Sequence, residues 1–251
     1  MVSSLKNENW RNIYGYLIIK LSMLNFLQTK NTMSTISKEN YLKVIFLHNH
    51  LGESASTSKV ANKLSVSNAA ISEMAKKLSQ EGLISYEKYR GMELTAEGEK
   101  IALRVLRRHR LWESFLIKAL GMSWSEVHDE AERLEHHSSD SLIDKIDEYL
   151  SFPDFDPHGE PIPKKNGTFP KTPKSISLSE VQIGNIYQIV RVNDQSSELM
   201  NYLTKNNLLL NSKLEVIDKL SFDNSVVVKI DNKKNSLSEK ISKSIFVKVL
   251  K

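Results

Sequence analysis

The chain changes its hydrophobic rhythm along its length. In TSKVANKLSVSNAAISEMAKKLSQEGL, Thr57 to Leu83, apolar residues recur at helical spacing as Val60, Ala61 and Leu64, then as Ala70, Ile71, Met74 and Leu78. The residues at 65–67, SerValSer, break the stripe; Ser67 is a good N-cap and Gly82 a stop signal. The pattern predicts two short helices joined by a tight turn. ISYEKYRG and MELT then alternate apolar and polar residues about a turn containing Arg90 and Gly91, which predicts a hairpin. A further helix is expected to begin near Thr95. Ser123 with Glu126 has the form of a capping box and Ser139 precedes Asp140 as the next cap, so another helix is expected from about Trp124 to His137. All six prolines lie between Pro153 and Pro173, in FPDFDPHGEPIPKKNGTFPKTP, a stretch that reads as a linker. Beyond it VQIGNIYQIVRV, KLEVIDKL, SVVVKI and SIFVKVL read as short strands, with a helix in ELMNYLTKNN. Strands of that length and number imply a small barrel.

The expected architecture is mainly α with a small all-β barrel at the end. Its parts are a winged helix-turn-helix domain over 34–96, a helical domain over 97–152, the linker over 153–175 and the barrel over 176–251. Residues 1–33 are set apart as a leader of no assigned role, an addition or a misplaced start. Within it IYGYLIIKLSMLNFL follows Arg11 and faintly resembles a signal peptide, but Lys20 and Asn25 interrupt the run. It is shorter and more polar than the roughly 20 apolar residues a membrane span needs.

Composition adds two constraints. Of 251 residues 40% are hydrophobic and 26% charged, as in an ordinary soluble protein, and none is cysteine. Disulfides and thiolate metal sites are therefore excluded, and a reducing, cytoplasmic location is expected. The net charge of +5 is segregated: residues 54–110 carry 11 Lys/Arg against 6 Asp/Glu, whereas 111–162 carry 3 against 13. A basic block beside an acidic block points to a polyanion partner for one and a cation for the other, although two solvated surfaces would give the same counts.

The basic block contains the paired helices. The second helix offers Ser67, Asn68, Ala69, Ser72, Glu73, Lys76 and Lys77 on its outer side, and the hairpin tip offers Lys88 and Arg90. Short polar groups suit base edges in a major groove, and lysines and arginine suit phosphates. A helical hairpin with solvated lysines is the plainer alternative, and the wing argues against it.

The acidic block holds VHDEAERLEHH, with three histidines and four acids in eleven residues. On a helix Val127, Ala131 and Leu134 cluster on one face, and His128, Glu132, Glu135 and His136 fan beside it. His109 and Glu113 share a face of the preceding helix at i and i+4. Such groups on facing helices can hold a divalent metal, which would neutralise carboxylates that otherwise repel. A solvated acidic face with incidental histidines remains the alternative. No His-Glu-x-x-His, glycine-rich phosphate loop or nucleophile elbow occurs, and a crowded ligand set leaves little room for an activated water. An enzyme is therefore not expected, nor a small organic substrate or a membrane.

The segments YEKYRGMELTAEGEKI, LRRHRLWESFL, VHDEAERLEHHSSD and FDPHGEPIP resemble the DtxR/MntR family of metal-dependent transcriptional repressors, over roughly residues 34–163. The tail from about Ser177 is similar to the FeoA-like barrel that some members carry. The resemblance implies a homodimer that binds double-stranded operator DNA and represses metal-uptake genes, with two neighbouring metal positions per subunit. One matches Glu132, Glu135 and His136 together with a ligand from the first helix. The other matches His109, Glu113 and His128. The first-helix position is Met in the iron type and Asp in the manganese type; here it is Asn40, with Glu39 beside it. Asp194 falls near a barrel position that can add a ligand. Glu132 stands as in the manganese type, and oxygen and imidazole donors without sulfur suit Mn2+, with Fe2+ as the alternative. Metal binding is expected to order the dimer so that its two recognition helices lie about 34 Å apart on a palindrome. The competing classes are a metal-independent regulator, a metal-dependent hydrolase and a metal-storage protein.

Overall fold

The computed structural model describes residues 36–87, 91–193, 196–231 and 233–250. The chain divides into two compact units, Met1–Ala102 and Leu103–Lys251.

In the first unit a helix over residues 36–50, α1, precedes α2 (Thr57–Leu64) and α3 (Asn68–Gln80). The two-helix expectation holds. Ser65 at φ 54° ends α2, and the Ser67 hydroxyl caps α3 by accepting from the Ala70 amide at 3.2 Å. Val60, Ala61, Ile71, Ala75 and Leu78 are buried, as are Leu42 and Ile45 of α1. Gly82, at φ +72°, stops α3. The hairpin follows as β1 (Ile84–Glu87) and β2 (Gly91–Leu94), antiparallel, with Met92 also bridged to Ala55.

Helix α4 (Ala96–Leu120) crosses from the first unit into the second. Thr95 joins its first turn to the end of α3. The Thr95 hydroxyl donates to the Gly82 carbonyl at 2.8 Å, and the Thr95 amide donates to the Leu83 carbonyl at 3.1 Å. A Cβ on Gly98 would collide with the Leu83 carbonyl oxygen, so the close approach of helix and strand needs glycine.

The second unit continues with α5 (Val127–Leu134) and α6 (Asp140–Tyr149), the latter capped by Ser139 as expected. Leu111, Ile143, Ile146, Leu150 and Ile162 form its helical core. Ile162 belongs to the proline-rich stretch, whose reading as a linker is corrected over residues 154–163. Asp156, His158, Pro161, Ile162 and Pro163 are buried. The physical reason is that prolines, lacking N–H donors, suit a buried irregular segment as well as an exposed one. Here Arg107 and Arg110 of α4 donate to the carbonyls of Pro163 and Pro161, at 3.0 and 2.5 Å.

The remaining strands are β3 (Ile176–Ser177), β4 (Ile186–Val192), β5 (Lys213–Leu220), β6 (Ser225–Ile230), β7 (Lys233–Leu237) and β8 (Ile245–Val249). They form one antiparallel sheet in the order β3-β8-β4-β5-β6-β7, with α7 (Ser197–Lys205) and α8 (Glu239–Ser244) in its connections. The helix in ELMNYLTKNN is therefore present. The barrel and its all-β character are corrected: β3 and β7 do not pair, and two helices cover apolar residues of the sheet core. A two-residue β3 offers too little edge to close the ladder, and Lys233 and Lys234 keep the β7 edge polar. No described helix is long and apolar enough to cross a membrane.

Candidate metal centre and nucleic-acid interface

The acidic and imidazole side chains converge in the second unit from α4, from α5 with the turn after it, and from the proline-rich loop. On α4, His109 and Glu113 meet at 3.0 Å between Nε2 and Oε1. On α5, burial of Val127 and Ala131 carries His128 and Glu132 to the edge of the core. The helix expected over Trp124–His137 is shorter at both ends. The Glu126 carboxylate does accept from the Ser123 amide at 3.3 Å, but a turn intervenes before Val127. At the other end the Ser138 hydroxyl donates to the Leu134 carbonyl at 2.7 Å, so Glu135–His137 form a turn before Ser139 starts α6.

His109 is the hub. Its Nδ1 lies 2.6 Å from Glu135 Oε2 and 3.6 Å from Glu132 Oε2, and its Nε2 lies 3.1 Å from His128 Nδ1. His128 Nδ1 is 3.2 Å from Glu113 Oε1, and Glu135 Oε1 is 3.0 Å from His136 Nε2. All six residues expected from the sequence are thus brought into one connected cluster. Glu113 and Glu135 are fully buried. Burial pushes the Glu113 carboxyl up, but the charge and hydrogen bond of His109, the hydrogen bond of His128 and the neighbouring His158 imidazole hold it well below the usual carboxylate range.

Two members were missed in the sequence, Asp156 and His158. Asp156 Oδ1 accepts from the amides of His158 and Glu160 at 2.8 and 2.9 Å, closing a tight loop. That loop aims His158 at Glu113, with Nδ1 3.4 Å from Oε2, and stacks its ring on Trp124 at 5.4 Å between centroids. Burial and the charge of Glu113 push the Asp156 carboxyl up to about 7. The His158 imidazole is pulled down by burial but raised on balance by Glu113 and Asp156. The acid and histidine in FDPHGEPIP were the available signal, and the proline content around them disguised it.

Among the described residues, three groups present ligand atoms within 4.8 Å of one another: His109, His128 and Glu132; Glu132, Glu135 and His136; and Glu113, Asp156 and His158. The last group supplies the test of fit. Glu113 Oε2, Asp156 Oδ2 and both His158 ring nitrogens are buried without a hydrogen bond of good geometry; their contacts are longer ion pairs, His158 Nδ1 to Glu113 Oε2 at 3.4 Å and Arg110 Nε to Asp156 Oδ2 at 3.6 Å. Buried acceptors facing one another are costly, and a divalent cation resolves the cost. The donors are oxygen and nitrogen throughout, so the residues fit a hard to borderline cation.

The other expected residues lie elsewhere. Glu39 and Asn40 are on α1 in the first unit, and the Asn40 amide oxygen is buried without a hydrogen-bond donor. Asp194 lies outside the described residues, as do Lys88 and Arg90 at the hairpin tip. On α3, Ser67, Asn68, Ala69, Glu73, Lys76 and Lys77 are exposed and Ser72 is half-buried, giving one polar helix face flanked by the hairpin.

Residues 33–92 match the iron-dependent repressor N-terminal DNA-binding domain, and 95–164 the iron-dependent repressor metal-binding and dimerisation domain. Residues 176–249 match the FeoA domain. The HTH-type transcriptional regulator MntR of Bacillus pumilus (strain SAFR-032) is 36% identical over 120 residues, 48% of this chain and 83% of that protein. The iron-dependent repressor IdeR of Mycobacterium leprae (strain TN) is 34% identical over 125 residues, 50% of this chain and 54% of that protein. A solved manganese-dependent transcriptional repressor in complex with manganese superposes with a TM-score of 0.76 at 36% identity, covering 85% of this chain and 100% of that one. The chain belongs to the DtxR/MntR family of metal-dependent transcriptional repressors, and carries the family's DNA-binding, metal-binding and FeoA parts.

Proposed function

We propose that this repressor responds to Mn2+ and that two cation positions per subunit govern its hold on operator DNA. The observation that carries the reading is the buried meeting of Glu113, Asp156 and His158 beside the His109 cluster, with oxygen and nitrogen donors alone. One position uses Glu132, Glu135 and His136. The other draws on Glu113, Asp156 and His158, with His109 and His128 between the two. Bound there, a divalent cation neutralises the converging carboxylates. The chain supplies the rest. His109 and Glu113 stand on the same 25-residue helix whose first turn is fastened to the end of α3 by Thr95. Ordering the ligands therefore orders the helix that supports the recognition element. The similarity to manganese-dependent repressors and the absence of sulfur donors favour Mn2+. The similarity to IdeR keeps Fe2+ as the second reading.

The partner is double-stranded DNA, met by a homodimer. Leu142, Tyr149 and Phe152 are exposed at 44%, 58% and 63%, and Tyr149 packs edge-on against Phe115 at 5.5 Å. Ile146, in contrast, is core. The exposed face of α6 is accordingly the one offered to a second subunit.

The test is selection from a random duplex pool with the full-length protein under Mn2+, Fe2+, Zn2+ or chelator. Enrichment of a palindrome under Mn2+ at the lowest free-metal concentration supports the proposal. Equal enrichment under chelator rejects it, and enrichment under Fe2+ alone selects the iron reading.

A further inference from the structure

The FeoA sheet touches the loop that carries Asp156 and His158. Strand β4 carries an irregularity between Ile189 and Arg191, after which Arg191 pairs with Phe246 of β8. Bulges of this kind re-aim a side chain. The Arg191 guanidinium lies over the Phe246 ring at 3.9 Å, and its Nη1 donates to Glu160 Oε1 at 3.2 Å. The other Glu160 oxygen, Oε2, accepts from Arg110 Nη2 at 3.2 Å. Arg110 is the α4 residue next to His109, and it also donates to the Pro161 carbonyl at 2.5 Å. Glu160 thus bridges two arginines, one on the sheet and one on the ligand helix. Between them lies the loop Asp156–Glu160. The Val192 amide donates to the His158 carbonyl at 2.9 Å, and a Cβ on Gly159 would collide with the Val190 carbonyl oxygen and crowd Arg191. The loop backbone is pressed onto β4 with no room for a side chain.

We propose that the Arg191–Glu160–Arg110 bridge is a positioning device: it sets the aim of His158 and Asp156 toward Glu113, and so tunes cation affinity through side chains that are not themselves ligands. Ion pairs at an open surface contribute little, but this bridge is largely withdrawn from solvent, with Arg110 at 7%, Glu160 at 16% and Arg191 at 25% side-chain exposure. Its use is geometric. The inference rests on the proposed role of Glu113, Asp156 and His158 as a cation site.

The experiment measures Mn2+ binding by calorimetry on full-length protein, for Arg191→Ala, Arg191→Lys, Glu160→Gln and a ligand control, His158→Gln. Apo melting temperature is recorded for each. Removing groups that orient metal ligands typically weakens binding by about 10- to 100-fold. The expected result is a loss of at least about tenfold in one of two Mn2+ affinities for Arg191→Ala and Glu160→Gln, with partial recovery in Arg191→Lys. If Arg191→Ala fails to fold, the nearly isosteric Glu160→Gln carries the test. Should His158→Gln lose a Mn2+ equivalent while Arg191→Ala and Glu160→Gln bind as wild type, the positioning role is overturned and the cation site stands. Should His158→Gln bind as wild type, the site itself is refuted and the positioning role falls with it.

Discussion

Glu132 has 38% side-chain exposure and still lies 3.6 Å from His109 Nδ1, so it belongs to the cluster without belonging to the core. Glu132→Ala should therefore leave the far-ultraviolet circular dichroism unchanged while abolishing Mn2+-dependent operator binding in a mobility shift. Normal metal response would remove Glu132 from the site. Asp156 predicts a pH effect. Its folded value of about 7 lies above the unfolded carboxylate range, so the metal-free native state keeps a proton that the unfolded chain releases above about pH 4. Stability of the metal-free protein should fall as pH rises through that window. The raised His158 acts in the same direction, because its contribution is lost as pH climbs through its folded value. A cation must displace these protons. Mn2+ affinity should accordingly rise with pH, by up to about tenfold per unit for each proton displaced below pH 7, and the part due to Asp156 should level off above it. Calorimetry in buffers of different ionisation enthalpy counts the protons released. Zero release, with affinity flat below that pH, would contradict this assignment.

At the scale of elements, the join between α3 and α4 is the point most sensitive to small changes. Gly98→Ala drives a methyl group into the Leu83 carbonyl, and overpacking of that kind costs about 1–3 kcal/mol. The expected outcome is a lower melting temperature and weaker operator binding, with Mn2+ binding retained. Thr95→Val, which removes only the hydroxyl bond to Gly82, should show the same split in milder form. The helices and hairpin of this region were legible in the sequence because their signals are local: Ser67 and Ser139 cap, Gly82 stops, and periodicity marks the buried faces. The clustering of the six residues on α4 and around α5 was legible for the same reason, since i, i+4 spacing fixes neighbours on a helix. Asp156 and His158 were not. Their meeting with Glu113 is set by an irregular loop packed under α4 and β4, and no periodicity reports such a fold. The end of α5 was overextended because Ser138, a residue without apolar signal, takes the Leu134 carbonyl. The expected barrel failed for a related reason: whether a sheet closes depends on pairing of its first and last strands, far apart in sequence.

For the whole molecule, the proposed assembly gives the segregation of charge and the exposed α6 face one contact each. The block over 54–110 carries the positive excess that meets phosphate, and exposed Leu142, Tyr149 and Phe152 lie on the acidic side, where apolar contact must drive association. Tyr149→Asp places a charge in that contact. Light scattering should show the variant as a monomer at micromolar concentration. Loss of simultaneous engagement of two half-sites should weaken operator binding by about 100-fold or more. An unchanged dimer would move the interface to another face.

Helix α4 is unbroken from Ala96 to Leu120, with Ala102, Val105 and Leu106 buried midway along it. A helix of that length spans roughly 37 Å, with Thr95 fastening its first turn to the end of α3 and with His109 and Glu113 in its second half. The stretch from Ala102 to Leu106 holds none of the clustered acids and imidazoles. If the proposed cation site governs operator binding, fraying there uncouples the two, so inhibitors of such a protein need not compete with metal or with DNA.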